Sequence, residues 1–101
     1  MISQDIFVDI KLYFTNENGR SVPTPDNFFN CVFVLDELNY DGRMILSNIG
    51  PIHPGDTKKS VPLLFLRPDT ILPKLKVGTK LLIWEGKIIG ESVVSQLDHQ
   101  K

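Results

Sequence analysis

Apolar residues recur along this chain with the two-residue period of β-strands. In residues 6–14 one face collects Ile6, Val8, Ile10, Leu12 and Phe14, and the other collects Asp9 and Lys11. Phe7 and Tyr13 fall on that second face, so it too is partly covered. Asn16-Glu17-Asn18-Gly19-Arg20 then reads as a turn, because Asn-Gly tolerates positive φ. Pro23 and Pro25 hold the chain extended after it. Residues 28–35 are apolar except at Asn30 and Cys31, and their aromatic and β-branched content favours a buried strand over a short helix.

Asp41-Gly42 predicts the next turn, with a short strand over residues 44–49. Two prolines and two glycines make residues 50–56 a loop. Residues 61–66 form a fifth apolar run, where Pro62, lacking an N–H, belongs at a strand start or an edge. Arg67-Pro68-Asp69 predicts a turn, and Pro73 opposes a long helix. Residues 80–85 and 87–94 read as a hairpin closed at Gly86, followed by a polar tail that frays. Six short strands with almost no helical pattern predict an antiparallel barrel, closed or nearly so, which also disposes of exposed sheet edges.

With 101 residues the chain is one domain, its core spanning about residues 5–97. The net charge of −1 provides no overall field for phosphate binding. Residues 1–50 hold three basic and seven acidic side chains, and residues 51–101 eight and five. A basic face and dispersed solvated charge both fit that asymmetry. The single cysteine, Cys31, excludes an intrachain disulfide framework and reads as a small buried hydrophobe. The first residues lack the basic-then-apolar pattern of a signal peptide, and no apolar run reaches membrane-spanning length, so a cytoplasmic location is the simplest expectation.

Signals for catalysis are nearly absent. His53 and His99 lie in a loop and in the tail, no pair of residues has metal-ligand spacing, and no phosphate-cradling loop or nucleophile elbow occurs. Asp36 and Glu37 read as solvated carboxylates. The expectation is a protein that is not an enzyme and takes no metal, nucleotide or cofactor.

The order of these features resembles the C-terminal β-barrel of elongation factor Tu and its translational GTPase relatives. The first strand is followed by Glu17-Asn18-Gly19-Arg20 and then Pro23, similar to the family's acidic-Gly-Gly-Arg turn and proline. An aromatic-rich strand at residues 28–35 and the loop Pro54-Gly55-Asp56 come next. An apolar strand ending in Glu85-Gly86 and a strand containing Gly90 complete the order. Asn18 stands where the family has glycine, the final hairpin is one residue shorter, and the 101 residues hold neither the GTPase domain nor the second barrel.

The resemblance implies a six-stranded closed antiparallel barrel that works by contact. In the family this barrel touches the T-arm of aminoacyl-tRNA and the exchange factor and packs on the GTPase domain. Carried over, it implies that Arg20 and Lys87 make partner contacts; Asn18, Pro23 and Phe28 are the further candidates beside them. Gly19, Gly55, Asp56, Gly86 and Gly90 are the turn and close-approach positions.

Three functions fit this sequence. The first is a protein-binding module, in one version an accessory or immunity protein that imitates the factor toward a partner. The second is a tRNA- or RNA-binding module using Arg20, the basic residues of the second half and exposed aromatics such as Tyr13 or Trp84. The third is a self-associating domain with Phe7, Phe28 and Phe29 on its surface. Loops 16–27 and 50–59 are the expected contact surfaces.

Overall fold

The structure is a computed structural model that describes residues 4–17 and 19–97. Six strands carry the fold: β1 Ile6–Leu12, β2 Phe28–Leu35, β3 Leu38–Ile45, β4 Thr57–Phe65, β5 Lys80–Trp84 and β6 Ile88–Leu97. They close into a barrel in the order β1-β4-β3-β2-β5-β6, every neighbouring pair antiparallel. The helical content is a four-residue helix, α1 (Pro68–Ile71), with two single 3₁₀ turns at Thr15–Glu17 and Leu72–Lys74. The all-β closed barrel predicted from the alternation is therefore the fold.

Alternation fills the interior. β1 contributes Ile6, Val8, Ile10 and Leu12, β2 contributes Phe29, Cys31 and Phe33, and β5 contributes Leu81 and Ile83, all buried. The Phe33 ring meets Phe65 edge to face, with centroids 5.9 Å apart at 77°. Each such residue leaves the polar positions of its strand on the outer wall.

Several local expectations are corrected. β1 ends at Leu12, so Phe14 leaves the sheet and stays 55% exposed. The turn expected after β1 does not link paired strands, since β1 pairs with β4 and β6 and not with β2. Gly19 is not among the residues with positive φ; a Cβ there would run into the Tyr13 carbonyl, so close backbone approach is what excludes a side chain.

The turn expected at Asp41-Gly42 is the middle of β3. Gly42 faces inward, where a Cβ would come within 2.7 Å of the Phe33 ring. The chain reverses instead at Asp36-Glu37, with φ of 52° and 67°, between the paired residues Leu35 and Leu38. Both central residues at positive φ is the twist a two-residue hairpin requires.

β4 starts at Thr57, earlier than expected, and contains Pro62 in its interior opposite Phe7. The β3–β4 register runs only from Gly42–Phe65 to Met44–Leu63, so Pro62 sits where β4 pairs on one side alone. Just before it Lys59 and Ser60 oppose the single residue Asp9, a bulge with Ser60 at φ 54°, and the Asp9 carboxylate accepts the Ser60 N–H at 3.0 Å. β6 continues to Leu97, so the expected fraying does not reach residues 95–97. Asn18 and His99 lie outside the described residues.

Candidate functional site

The outer wall over β4, β3, β2 and β5 forms an open groove of about 640 Å³. Its floor follows from register. Asp41 pairs with Val32 and Val32 with Trp84, while the Leu66 N–H bonds the Asp41 carbonyl at 2.9 Å. Leu66, Asp41, Val32 and Trp84 thus form one transverse row of outward side chains. One step along the strands a second row joins Leu64, Arg43 and Asn30. Leu66 is 71% exposed and Trp84 is 40% exposed. These residues come from four different strands, so the surface exists only once β4, β3, β2 and β5 have paired.

Charge in the groove is distributed unequally. Arg43 donates from Nε to the Asn30 Oδ1 at 2.8 Å, and its guanidinium lies 5.2 Å from the centroid of the Phe28 ring. Glu85, at the β5–β6 turn, is paired with Arg20. The ion pairs of the described residues are Arg20–Glu85, Lys59–Asp9 and Lys80–Glu91, His53 Nδ1 lies 3.5 Å from the Asp56 carboxylate, and none of these contacts uses Asp41.

Arg20 occupies a different setting. Its guanidinium bonds the Glu85 carboxylate and the Val22 and Pro23 carbonyls, at 3.1 and 3.2 Å for the carbonyls, and covers the Phe29 ring at 4.8 Å. Only 14% of its side chain is exposed. It straps the β1–β2 connection onto the β5–β6 hairpin. Cys31 is buried within electrostatic reach of this pair: burial pushes its thiol pKa up, Glu85 adds to the rise and Arg20 opposes it.

The sequence-derived positions are scattered among these features. Arg20 and Pro23 meet directly, and Phe28 supports Arg43 at the groove's end. Lys87 is exposed in the β5–β6 turn, where its carbonyl accepts the Glu85 N–H at 2.8 Å beside Gly86 at φ 74°. Gly55, at φ 90°, lies under the Phe14 ring, and Asp56 closes that turn by accepting the His53 N–H at 3.0 Å. Gly90 pairs with Leu12, and a Cβ on it would come 2.5 Å from the Lys11 carbonyl oxygen.

The three phenylalanines considered for a surface patch separate: Phe29 is buried, Phe7 is half-buried against Pro62, and Phe28 is exposed beneath Arg43. Tyr13 donates to the Glu91 carboxylate at 3.1 Å, and its pKa is raised by burial first and then by Glu91. The loops around residues 24 and 52 are tied to each other, with Thr24 N–H on the Ile52 carbonyl and Ile52 N–H on Thr24 Oγ1. The lysines of the second half are spread over the barrel: Lys59 and Lys80 in ion pairs, Lys74 against Tyr40.

Among the described residues no three His, Cys, Asp or Glu side chains gather where they could hold a metal ion, and no helix is long and apolar enough to cross a membrane. Of the residues that shape the groove, Trp84 alone carried a signal in the sequence, since it takes an outward position in a strand whose inward positions are Leu81 and Ile83. No protein-family model matches the chain, and no curated protein matches it either.

Proposed function

We propose that this barrel is a non-catalytic protein-binding module whose working surface is the groove over β4, β3, β2 and β5. The observation that carries this reading is the exposure of Trp84 and Leu66 together in one concave, mostly apolar site beside Arg43. Tryptophan and arginine are the residue types that dominate binding energy when a partner covers them. Every strand of the closed barrel has a neighbour on both sides, which favours side-chain contact on the outer wall over addition of another strand.

The resemblance to the elongation factor Tu barrel supports the same reading, because that barrel also works by contact. It extends the proposal to an accessory or immunity protein that imitates the factor toward a protein that normally recognises it. The alternative, RNA binding, draws less support: Arg20 is committed to internal bonds, and two lysines of the second half stand in ion pairs.

The test is affinity purification of the tagged protein from lysate of its own cells, with protein and RNA recovered separately and Trp84→Ala run beside it. A stoichiometric protein that is lost with Trp84→Ala, the variant melting like the parent, is the expected result. Equal recovery with Trp84→Ala rejects the groove as the surface. Recovered tRNA that washes off as salt rises replaces the protein-binding reading with the RNA one.

A further inference from the structure

We infer that the groove receives an arginine side chain of the partner, with the guanidinium between the Asp41 carboxylate and the Trp84 ring and above Val32. This rests on the groove being the protein-binding surface, and it specifies the chemistry that the surface selects.

The argument is one of register and unspent charge. Asp41, Val32 and Trp84 lie on three adjacent strands in a single outward row. Neighbouring strands are about 4.8 Å apart, so Asp41 and Trp84 flank a gap of about 10 Å at their Cα atoms, floored by the smaller Val32. One planar cation fits that gap. Of the other charges of the groove, Glu85 is neutralised by Arg20, and Arg43 is held by neutral partners, through Nε by Asn30 and over the Phe28 ring. Asn30 and Phe28 draw Arg43 toward the end of the groove away from Val32.

The carboxylate left open is Asp41, exposed and outside every ion pair among the described residues. A tryptophan face is the best aromatic surface for a cation, and a carboxylate opposite it supplies the charge-assisted hydrogen bonds. Arginine suits the place better than lysine because its planar, weakly hydrated guanidinium stacks on a ring and bonds a carboxylate at once. The remaining walls, Leu64 and Leu66, would cover its aliphatic stem.

The direct test is a titration of the ¹⁵N-labelled full chain, followed by NMR, with N-acetyl-arginine amide. N-acetyl-citrulline amide serves as the uncharged probe of the same shape, and N-acetyl-lysine amide as the second cation. The arginine probe is expected to shift the Val32 and Asp41 amides and the Trp84 indole N–H, and to bind at least about fivefold more tightly than citrulline. Asp41→Asn should remove that preference while leaving the spectrum of the free barrel otherwise intact. Equal binding of citrulline, equal binding of lysine, shifts mapping elsewhere, or no shift at tens of millimolar probe each overturns the inference.

The same Asp41→Asn variant separates this inference from the reading beneath it. Retention of the lysate partner by Asp41→Asn together with its loss from Trp84→Ala defeats the arginine assignment and leaves the groove standing. Retention by both defeats the groove as well.

Discussion

Phe28 and Phe29 are adjacent in sequence, each lies under an arginine, and the two pairs do opposite things. Phe29 points inward at 3% exposure and Arg20 covers it, with the guanidinium's remaining bonds going to Glu85 and two backbone carbonyls. Phe28 points outward at 37% exposure, and the Arg43 above it makes, among the described residues, a single side-chain hydrogen bond, through Nε to Asn30. Residue type does not separate a structural arginine from one on a binding surface; what separates them is how much of the guanidinium the fold has already used.

The sharpest way to break that comparison is to truncate the rings. Phe29→Ala should cost about 3–4 kcal/mol in urea unfolding, because it empties a core position, whereas Phe28→Ala should cost less than about 1 kcal/mol. Equal losses would mean that the two rings are not on opposite sides of the wall. Truncating the cations comes next. Arg20→Ala should destabilise by about 2 kcal/mol, since it unties the strap and leaves Glu85 unpaired, while Arg43→Ala should stay within about 0.5 kcal/mol.

Alkaline pH tests the two protonated groups. Cys31 and Tyr13 both have raised pKa values, so the folded barrel keeps protons that the unfolded chain releases. Stability should therefore be level through neutral pH and fall as pH rises past the ordinary thiol and phenol values, about 8.5 and 10, by roughly 1 kcal/mol per pH unit. Cys31→Ala should flatten most of the decline; a slope of the same size in that variant would reject the assignment. The smallest effect concerns the two carboxylates of the groove. Glu85→Gln should lose up to about 1 kcal/mol of stability, and Asp41→Asn should lose nothing measurable in the same denaturation series.

Regions built on plain alternation were readable directly. β2 runs over Phe28–Leu35 as its apolar content predicts, and the β5–β6 hairpin turns around Gly86. The second hairpin was not readable, because both of its signals mislead. Asp41-Gly42 has turn chemistry, yet its glycine is there to make room for the Phe33 ring. The actual turn uses Asp36-Glu37, which lacks glycine altogether. β3 also presents mostly polar residues outward and only Gly42 and Met44 are buried in it, so it has little apolar signature.

The candidate surface was hidden for a different reason. Its row of Leu66, Asp41, Val32 and Trp84 depends on pairing register across four strands, and periodicity within one strand says nothing about register with another. Arg20 was visible as a residue of interest in its turn. Its bond to Glu85, 65 residues away, was not.

The pairing of β1 with β6, which brings Ile6 opposite Leu97, has a kinetic meaning as well. While the chain is being synthesised, β1 precedes its neighbour β6 by the four strands that lie between them. During that interval one of its edges is uncovered, because β6 is the strand that joins β1 to β5 in this ring. Folding dominated by such distant pairings runs in milliseconds to seconds, slower than helical bundles of similar size. The seam between the first strand and the last is thus where the newborn chain is most exposed to joining the wrong neighbour, and its closure is the event that ends that exposure.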